Sequence, residues 1–317
     1  MALTHFTLPP PVQRQVESFA SGLLQPPAGA TVDFSTPPGE PALVAADSVS
    51  WRVFKNPATL FIGGVAAVLL EFAEPRVRHG VWDHSSFRDQ PLARLQRTGL
   101  AAMLSVYGPE SAARAMIAGV NRMHQQVSGT TSGGVPYRAD DPELLDWVQA
   151  TAAYGFLEAY AAFAHPLSTA ERDLYYAEAV PVAALYGARG APASQTDLHA
   201  LFRKMRPKLE PSQTILEFLE IMRRMPALPA AARPAQALFL RAAVEILPHG
   251  VRELLRLGAE WRLRSWERLL VKAMGAAADR LLLRSSPAVQ ACLRLGLPED
   301  YLYRGRSIRE AEPRARG

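Results

Sequence analysis

The chain has 317 residues, 49% of them hydrophobic and 21% charged, which is enough apolar material for one large core or two small ones. Its formal net charge is +5, and its single cysteine, Cys292, excludes an internal disulfide and any metal centre made of several cysteines. The first residues lack the basic and then apolar pattern of a secretory signal, so we expect a cytoplasmic protein.

Proline clusters mark the N-terminal region. Prolines at 9–11, 26–27 and 37–38 predict that residues 1–50 form an extended arm packed on the body, with one short helix near Val12 to Leu24. From residue 51 onward, prolines separate short helical blocks, and valine and isoleucine seldom recur at period two. We therefore predict an all-α fold with one mainly helical domain over residues 51–297. Residues 298–317 are expected to fray.

Two apolar windows, 60–73 and 150–164, are shorter than the roughly 20 apolar residues of a membrane span, so we interpret both as buried helices. The first window contains the adjacent glycines Gly63 and Gly64. A glycine costs roughly 1 kcal/mol in a helix interior. Paired glycines are typical of a place where something flat or bulky approaches the backbone, either a porphyrin or a neighbouring helix.

The next helix carries two polar side chains on one face. Pro91 suits its first position, and Arg94 and Thr98 stand at i and i+4. Small side chains continue the same face, at positions 101, 102 and 105. A cation and a hydroxyl beside small residues are typical of a pocket wall. The alternative is that Arg94 reaches solvent while Thr98 bonds to its own helix.

The stretch MHQQVSGTTSGG, residues 123–134, places a histidine in the last turn of an apolar helix, just before a glycine-rich loop. His124 continues the apolar stripe of that helix and is expected to face the core. Taken alone, such a histidine is more often a hydrogen-bonded core residue than a ligand. The turn YGPES should join the two helices as a hairpin that brings Arg94, Thr98 and His124 together. We interpret SGTTSGG as a flexible loop bordering a pocket.

Several segments, taken in order, carry a family resemblance: GGVAAVLLEFAEPRVRHGVWDHSSF, PLARLQRT, MHQQVSG, YRADDPELLDWVQAT and YYAEAVPVAALYG. Over roughly residues 52–205 the chain resembles the family of latex clearing protein (rubber oxygenase) and MpaB-type oxygenases. The resemblance implies an all-α fold, a b-type haem, and cleavage of isoprenoid double bonds with dioxygen. It also implies that His124 binds the haem, in a motif like His-x-x-Val-x-Gly, and that Arg94 and Thr98 lie near it.

The chain departs from that family pattern at several positions. Glu74, Asp140 and Gln149 stand where relatives often have histidine. A proton relay built from those histidines is therefore absent or rebuilt with Glu74 and Asp140. In the rubber oxygenase branch, a basic residue before the threonine can occupy the distal side of the iron. Here it is Arg97, and arginine is a poor iron ligand because it stays protonated.

The residues themselves suit a haem pocket. His124 offers an imidazole, the stripe before it a dry wall, and Arg94, Arg122 and Arg138 offer cations for the propionates. Together with these residues, the family resemblance implies a haem b-dependent oxygenase that acts with dioxygen on a small apolar, isoprenoid or otherwise unsaturated substrate. The predicted catalytic residues are Arg94, Thr98 and Arg97, the metal ligand is His124, and the cofactor contacts are His124, Arg94, Thr98, Gly63, Gly64 and Arg122. The alternative is a helical module that binds haem or an apolar ligand without turnover.

A second histidine-containing segment offers another kind of metal site. His79 and His84, with Asp83, have the composition of a non-haem iron site of two histidines and one carboxylate. A spacing of five places the two histidines on different helical faces, which disfavours that site. Lining of the haem pocket by Asp83 or His84, and plain capping or surface roles, are the other interpretations.

The segment 251–284 carries eight basic and four acidic side chains. Leucine and tryptophan interleave with them at helical spacing, which predicts an amphipathic helix with a solvated basic face. Recruitment to anionic surfaces through this helix is the alternative. We expect membrane-surface contact to be weak and specific nucleic-acid binding to be absent.

Overall fold

The computed structural model of the protein describes residues 5–24, 32–228 and 233–304. Within these ranges it contains fourteen α-helices and one two-stranded antiparallel hairpin, which confirms the predicted all-α fold. The helices are α1 (Pro10–Leu24), α2 (Val49–Phe54), α3 (Pro57–Ala73), α4 (Pro75–Trp82), α5 (Pro91–Tyr107), α6 (Glu110–His124), α7 (Pro142–Phe163), α8 (Thr169–Leu185), α9 (Gln195–Met205), α10 (Gln213–Arg224), α11 (Arg233–Glu245), α12 (His249–Leu254), α13 (Ser265–Arg280) and α14 (Pro287–Arg294). The strands are β1 (Ser128–Thr130) and β2 (Pro136–Arg138).

Helix α3 lies at the centre of the fold. It begins at Pro57, and the side chain of Asn56 caps it by accepting hydrogen bonds from the N–H groups of Ala58 and Thr59. Apart from Glu71 the helix carries no charged residue, and a helix that is apolar all round is stable only when it is buried. Neighbouring helices therefore surround most of α3.

Helix α7 runs antiparallel to α3, and the two cross at a pair of glycines. A Cβ atom added to Gly63 would lie 2.7 Å from both the carbonyl oxygen of Gly155 and the Cα of Phe156. One added to Gly155 would lie 3.1 Å from the backbone nitrogen of Ala67. The two backbones thus occupy the space of both side chains. The predicted contact of Gly63 with a cofactor is replaced by contact with α7, the alternative that the sequence left open.

Two clusters of buried side chains flank the α3–α7 pair. Helices α10, α11 and α13 contribute to one cluster, and α2, α5 and α8 contribute to the other, which includes Trp51, Tyr107 and Tyr176. Within the described ranges, no single helix combines the length and apolarity that a bilayer span needs. Helices α3 and α4 have the required length and apolarity only when they are taken together, and the angle between their axes is 113° where they meet.

Helices α5 and α6 form the predicted helical hairpin, with a turn at Gly108 and Pro109. The glycine-rich segment that follows forms the β1–β2 hairpin instead of the predicted flexible loop. This hairpin packs on α4, because Tyr137 is buried and its hydroxyl bonds to Nε2 of His84 at 3.0 Å. Gly129 leaves the room for that tyrosine, since a Cβ atom there would lie 2.6 Å from its hydroxyl oxygen. Strands of three residues are too short to show an alternating pattern in sequence.

The N-terminal region is tied to the body by polar contacts. Helix α1 covers and slightly extends the predicted short helix. Farther along, the buried guanidinium of Arg294 donates to the carbonyl oxygens of Phe34 at 2.5 Å, Glu40 at 2.8 Å and Tyr107 at 2.7 Å. One arginine therefore joins the arm, α5 and α14.

The C-terminal predictions need two corrections. The segment 251–284 is not one helix, because it divides into α12, a 3-10 turn at Ala259–Trp261, and α13. Fraying does not begin at residue 298, because Tyr303 is buried in a small apolar cluster with Leu282 and with Val289 of α14. The remainder of the predicted tail, 305–317, lies outside the described residues.

The adjacent glycines of α3 provide a matched pair for a stability measurement. We expect Gly63→Ala to lower the free energy of unfolding by about 1–3 kcal/mol or more, because the added methyl group collides with the backbone of α7. We expect Gly64→Ala to raise it by about 0.5–1 kcal/mol, because alanine is the better helix former and its methyl group meets only the Phe156 ring, at 3.8 Å. Urea denaturation of both variants measures whether the free energy of unfolding changes in opposite directions. Destabilisation by Gly64→Ala would contradict the prediction.

Candidate functional site

One face of α3 is less buried than the rest of the helix. Gly64, Val68 and Glu71 stand at i, i+4 and i+7, and all three are half-buried where most of the helix is fully buried. Beside Gly64, the ring of Phe156 is the nearest neighbour. Phe156 and Gln149 share one face of α7, also at a spacing of seven. We refer to these half-buried faces of α3 and α7, with the adjoining part of α5, as the recess.

Helix α5 brings Arg94 close enough to Glu71 for their charges to interact, while the side chain of Thr98 is exposed. The Arg94 guanidinium donates to the hydroxyl of Thr98, and that hydroxyl donates to the carbonyl oxygen of Arg94 at 3.0 Å. The side chains of Arg94 and Thr98 are therefore hydrogen-bonded to each other. Thr98 also bonds to its own helix, which is what the alternative interpretation predicted for Thr98. Burial lowers the pKa of Arg94, while the nearby Glu71 carboxylate acts in the opposite direction.

Glu71 is a site residue that the sequence reasoning missed. Burial raises the pKa of its carboxyl to about 7, and the charge of Arg94 limits the rise. The side chain nevertheless keeps partial access to solvent, which is the combination expected of a group that lines a recess. The signal for it was present in the sequence, because Glu71 is the one charged residue of an otherwise apolar helix.

His124 is the last residue of α6, as predicted. It lies on the inward stripe of that helix, in line with the buried residues Ala113 and Ile117, but it is only half-buried. Its Nδ1 atom is buried and has no hydrogen-bond partner among the described residues. Burial lowers the pKa of His124, the charge of Arg94 lowers it further, and Asp140 opposes both. A lowered pKa favours the neutral imidazole, in which one of the two ring nitrogens carries a lone pair.

Two of the predicted arginines, the catalytic candidate Arg97 and the pocket cation Arg122, point elsewhere. Arg97 is exposed and donates to the hydroxyl of Ser86 at 2.7 Å, so its side chain turns toward the segment between α4 and α5. Arg122 is exposed two residues before His124, and that spacing turns it toward the opposite side of α6. Of the predicted cations, Arg94 is the one that electrostatic coupling links to both His124 and Glu71.

The residues that replace the family histidines have structural partners. Glu74 is buried, caps α4 by accepting from the N–H of Val77, and pairs with Arg76 at 2.7 Å. Asp140 forms a two-pronged ion pair with Arg138, at 2.9 Å for each contact. A proton relay rebuilt with Glu74 and Asp140 would have to break these pairs. Gln149 is half-buried on the recess face of α7.

The segment with His79, Asp83 and His84 supports the hairpin instead of holding a metal. Nδ1 of His79 pairs with Asp83 at 2.7 Å, and its Nε2 accepts from the backbone N–H of Ser132 at 3.3 Å. His84 is engaged by Tyr137, as described above. In the described part of the chain, no group of three or more His, Cys, Asp or Glu side chains is arranged to hold a metal ion.

The recess fits a prosthetic group that needs one protein ligand. His124 has an unpaired nitrogen in a neutral imidazole, which is the form that binds haem iron. Gly64 presents backbone without a side chain on this face, and the nearest neighbour of a Cβ atom there would be the ring of Phe156, at 3.8 Å. Arg94 adds one cation beside Glu71, near the apolar residues Val68 and Phe156. These features agree with a haem held by His124.

Comparison with known proteins gives one match. The family model described as "ER-bound oxygenase mpaB/B'/Rubber oxygenase, catalytic domain" matches residues 51–279, which is more than half of the chain. No curated protein and no solved structure matches the chain significantly. The matched region contains α3, α5, α6 and α7, and therefore the whole recess.

The carboxyl of Glu71 makes the stability of the fold depend on pH. Its pKa is near 4.5 when unfolded and about 7 when folded, so the folded state binds more protons between these values. The contribution of Glu71 is therefore favourable below about pH 4.5 and is lost as the pH rises through about 7. We expect Glu71→Gln to exceed the wild type in free energy of unfolding by up to about 3 kcal/mol at about pH 8, and by about half as much at about pH 5.5.

Urea denaturation at the two pH values measures this difference. Glu74→Gln is the matched control, because it removes a carboxylate that is ion-paired with Arg76 and caps a helix, and should lower stability at about pH 8. An unchanged or lower stability of Glu71→Gln at both pH values would contradict the burial of Glu71 as an ionisable group.

Proposed function

Because the chain belongs to the family of ER-bound oxygenase MpaB and rubber oxygenase catalytic domains, we propose that it is a haem b-dependent oxygenase that uses dioxygen. Its substrate is a small apolar molecule, of the unsaturated isoprenoid type, which suits a recess that contains the apolar residues Val68 and Phe156. The observation that carries the haem assignment is the buried, unpaired Nδ1 of His124 on the inward stripe of α6.

His124 would bind the haem iron through its imidazole, and Gly64 would be a backbone contact on α3. Bound haem supplies a redox-active iron that activates dioxygen beside the substrate. Arg94 is the cation that the recess offers to an anionic edge of the cofactor or to developing negative charge. Burial lowers the pKa of His124, and the positive charge of Arg94 lowers it further, so both favour the neutral imidazole.

Thr98 is a positioning residue in this proposal. Its hydroxyl accepts from the Arg94 guanidinium and so restricts the rotamers of a long side chain. Arg94 in turn lies close enough to Glu71 to favour the ionised carboxylate. Thr98 is thus linked to Arg94 by a hydrogen bond, and Arg94 to Glu71 by charge.

Glu71 is the carboxyl that can hold or release a proton in the recess. With a pKa of about 7, it is present in both protonation states at neutral pH, which suits a general acid or base. Glu74 and Asp140 are engaged by Arg76 and Arg138, so they are poorly placed to substitute for the missing family histidines. Proton transfer is therefore assigned to Glu71.

Replacing the proposed ligand tests the haem assignment. We expect His124→Ala to lower haem occupancy by at least about tenfold, because the variant loses the protein bond to iron. The Soret absorbance per protein measures occupancy, and circular dichroism should show unchanged helix content. Added free imidazole should restore part of the absorbance by entering the space that the side chain leaves.

His199→Ala is the matched control, because His199 is an exposed histidine of α9, outside the recess. It should retain full haem occupancy. Equal occupancy in wild type and His124→Ala would overturn the ligand assignment. A wild-type protein without any Soret band after haem reconstitution would overturn the haem proposal itself.

Two further variants separate haem binding from reaction chemistry. We expect Arg94→Ala to keep most of its haem but to lower the rate of dioxygen-dependent substrate turnover by about a hundredfold, since the recess loses its cation. Thr98→Ala should have a smaller effect in the same direction. Arg97→Ala is the control, because its side chain points toward Ser86 and its removal should leave the rate nearly unchanged. Oxygen-uptake rates normalised to haem content measure all three, and a larger loss with Arg97→Ala than with Arg94→Ala would reverse the assignment.

A further inference from the structure

Helix α13 exposes the wrong residues for a helix whose apolar side faces a core. Trp266, Leu269 and Leu270, at i, i+3 and i+4, have relative exposures of 58%, 68% and 41%. The buried residues of α13 are Glu267, Val271 and Gly275, which follow one another at a spacing of four on the opposite side. The sequence predicted a solvated basic face with tryptophan and leucine packed inward, and the structure reverses the position of these apolar residues.

Inward contacts hold α13 in this orientation. Glu267 pairs with Arg241 of α11 at 2.7 Å, and Asp279 pairs with Lys55 at 2.7 Å. The carbonyl oxygen of Gly275 accepts from the side-chain amide of Asn56 at 2.9 Å. Turning the helix to bury Trp266 would break all three contacts and leave charged groups unpaired.

The same contacts give the outer face of α13 one sign of charge. Both acidic residues of the helix, Glu267 and Asp279, are turned inward and paired. Around the exposed apolar residues lie basic side chains that include Arg262 and Lys272, which are exposed and have no ion-pair partner within the described ranges. The surface is thus an apolar centre with a cationic edge, on a chain whose net charge is +5.

We propose that α13 docks on a membrane surface rich in anionic lipid, with Trp266, Leu269 and Leu270 entering the headgroup region. Arg262 and Lys272 contact the lipid phosphates. Tryptophan prefers this interface because its ring is apolar and its N–H is polar, and cations beside it add attraction to anionic lipid. The inference does not depend on haem binding or on the proposed reaction.

Charge disfavours the two other occupants of this surface. A second copy of the chain would bring the cationic edges of two α13 helices together in a self-complementary contact. The chain's own last residues, 305–317, contain four arginines and two glutamates, so they carry the same sign of charge as the surface. An anionic bilayer complements both the apolar centre and the edge.

Flotation with lipid vesicles tests the proposal. We expect the full-length protein to float with vesicles of phosphatidylcholine and phosphatidylglycerol, and much less with phosphatidylcholine alone. The triple variant Trp266→Ser, Leu269→Ser, Leu270→Ser should partition about tenfold less or weaker still, because it lacks the apolar anchors. Leu174→Ser is the matched control, since Leu174 is an exposed leucine of α8 and its loss should change nothing. Circular dichroism checks that each variant is folded, and Leu269→Ser alone should give a smaller loss.

Salt and fluorescence separate insertion from simple charge attraction. Part of the binding should persist at about 1 M salt, where the Debye length is about 3 Å, and the charge-reversed variant Arg262→Glu, Lys272→Glu should lose mainly the salt-sensitive part. The tryptophan emission should shift to shorter wavelength with anionic vesicles, and Trp266→Phe should abolish the shift. The proposal would be overturned if the wild-type protein did not float, or if it floated no better than the triple variant. It would also be overturned if the protein were a dimer that does not float and that only the triple substitution dissociates.

Discussion

The close approach of α3 and α7 at Gly63 and Gly155 is the constraint on which the site depends. Because the two backbones touch there, the rotation of α3 about its own axis is fixed by contact that a side chain would prevent. The neighbouring face of α3, which begins at Gly64, then points away from the helix crossing. That face carries Gly64 and Glu71, so a packing contact in the core decides which part of α3 meets the recess.

Burial controls the electrostatics of the recess. Desolvation is the largest cause of the pKa shift in Glu71, Arg94 and His124, and it acts against the charged form in each case. The result is a carboxyl close to neutrality, a neutral imidazole and one arginine, in place of three fully charged groups. Haem ligation needs the neutral imidazole, and proton transfer needs a carboxyl that titrates near pH 7. Burial therefore favours both the neutral imidazole and the carboxyl that titrates near pH 7.

The recess and the outer face of α13 both depart from the usual rule that apolar side chains are buried and that polar groups are exposed or hydrogen-bonded. A charge in an apolar helix, a buried nitrogen without a partner, and exposed tryptophan and leucine each raise the free energy of the folded chain. Elsewhere the helices follow the rules, with side-chain caps at Asn56, Ser168 and Ser286 and buried stripes at helical spacing. Natural sequences tend to keep such exceptions where binding or chemistry requires them.

Sequence patterns alone predict the helical fold, the α5–α6 hairpin, and the places of Arg94, Thr98 and His124 on their helices. They can do so because helical periodicity and proline boundaries act over short distances along the chain. Which neighbour each side chain contacts depends on the tertiary structure. It assigned Gly63 to helix packing, turned Arg97 and Arg122 away from the recess, paired Glu74 with Arg76, and placed Glu71 beside Arg94. It also turned the leucines of α13 outward, because ion pairs to distant helices fixed the opposite side of that helix inward. Contacts between residues far apart in sequence set burial and charge, and these are what periodicity along one helix does not contain.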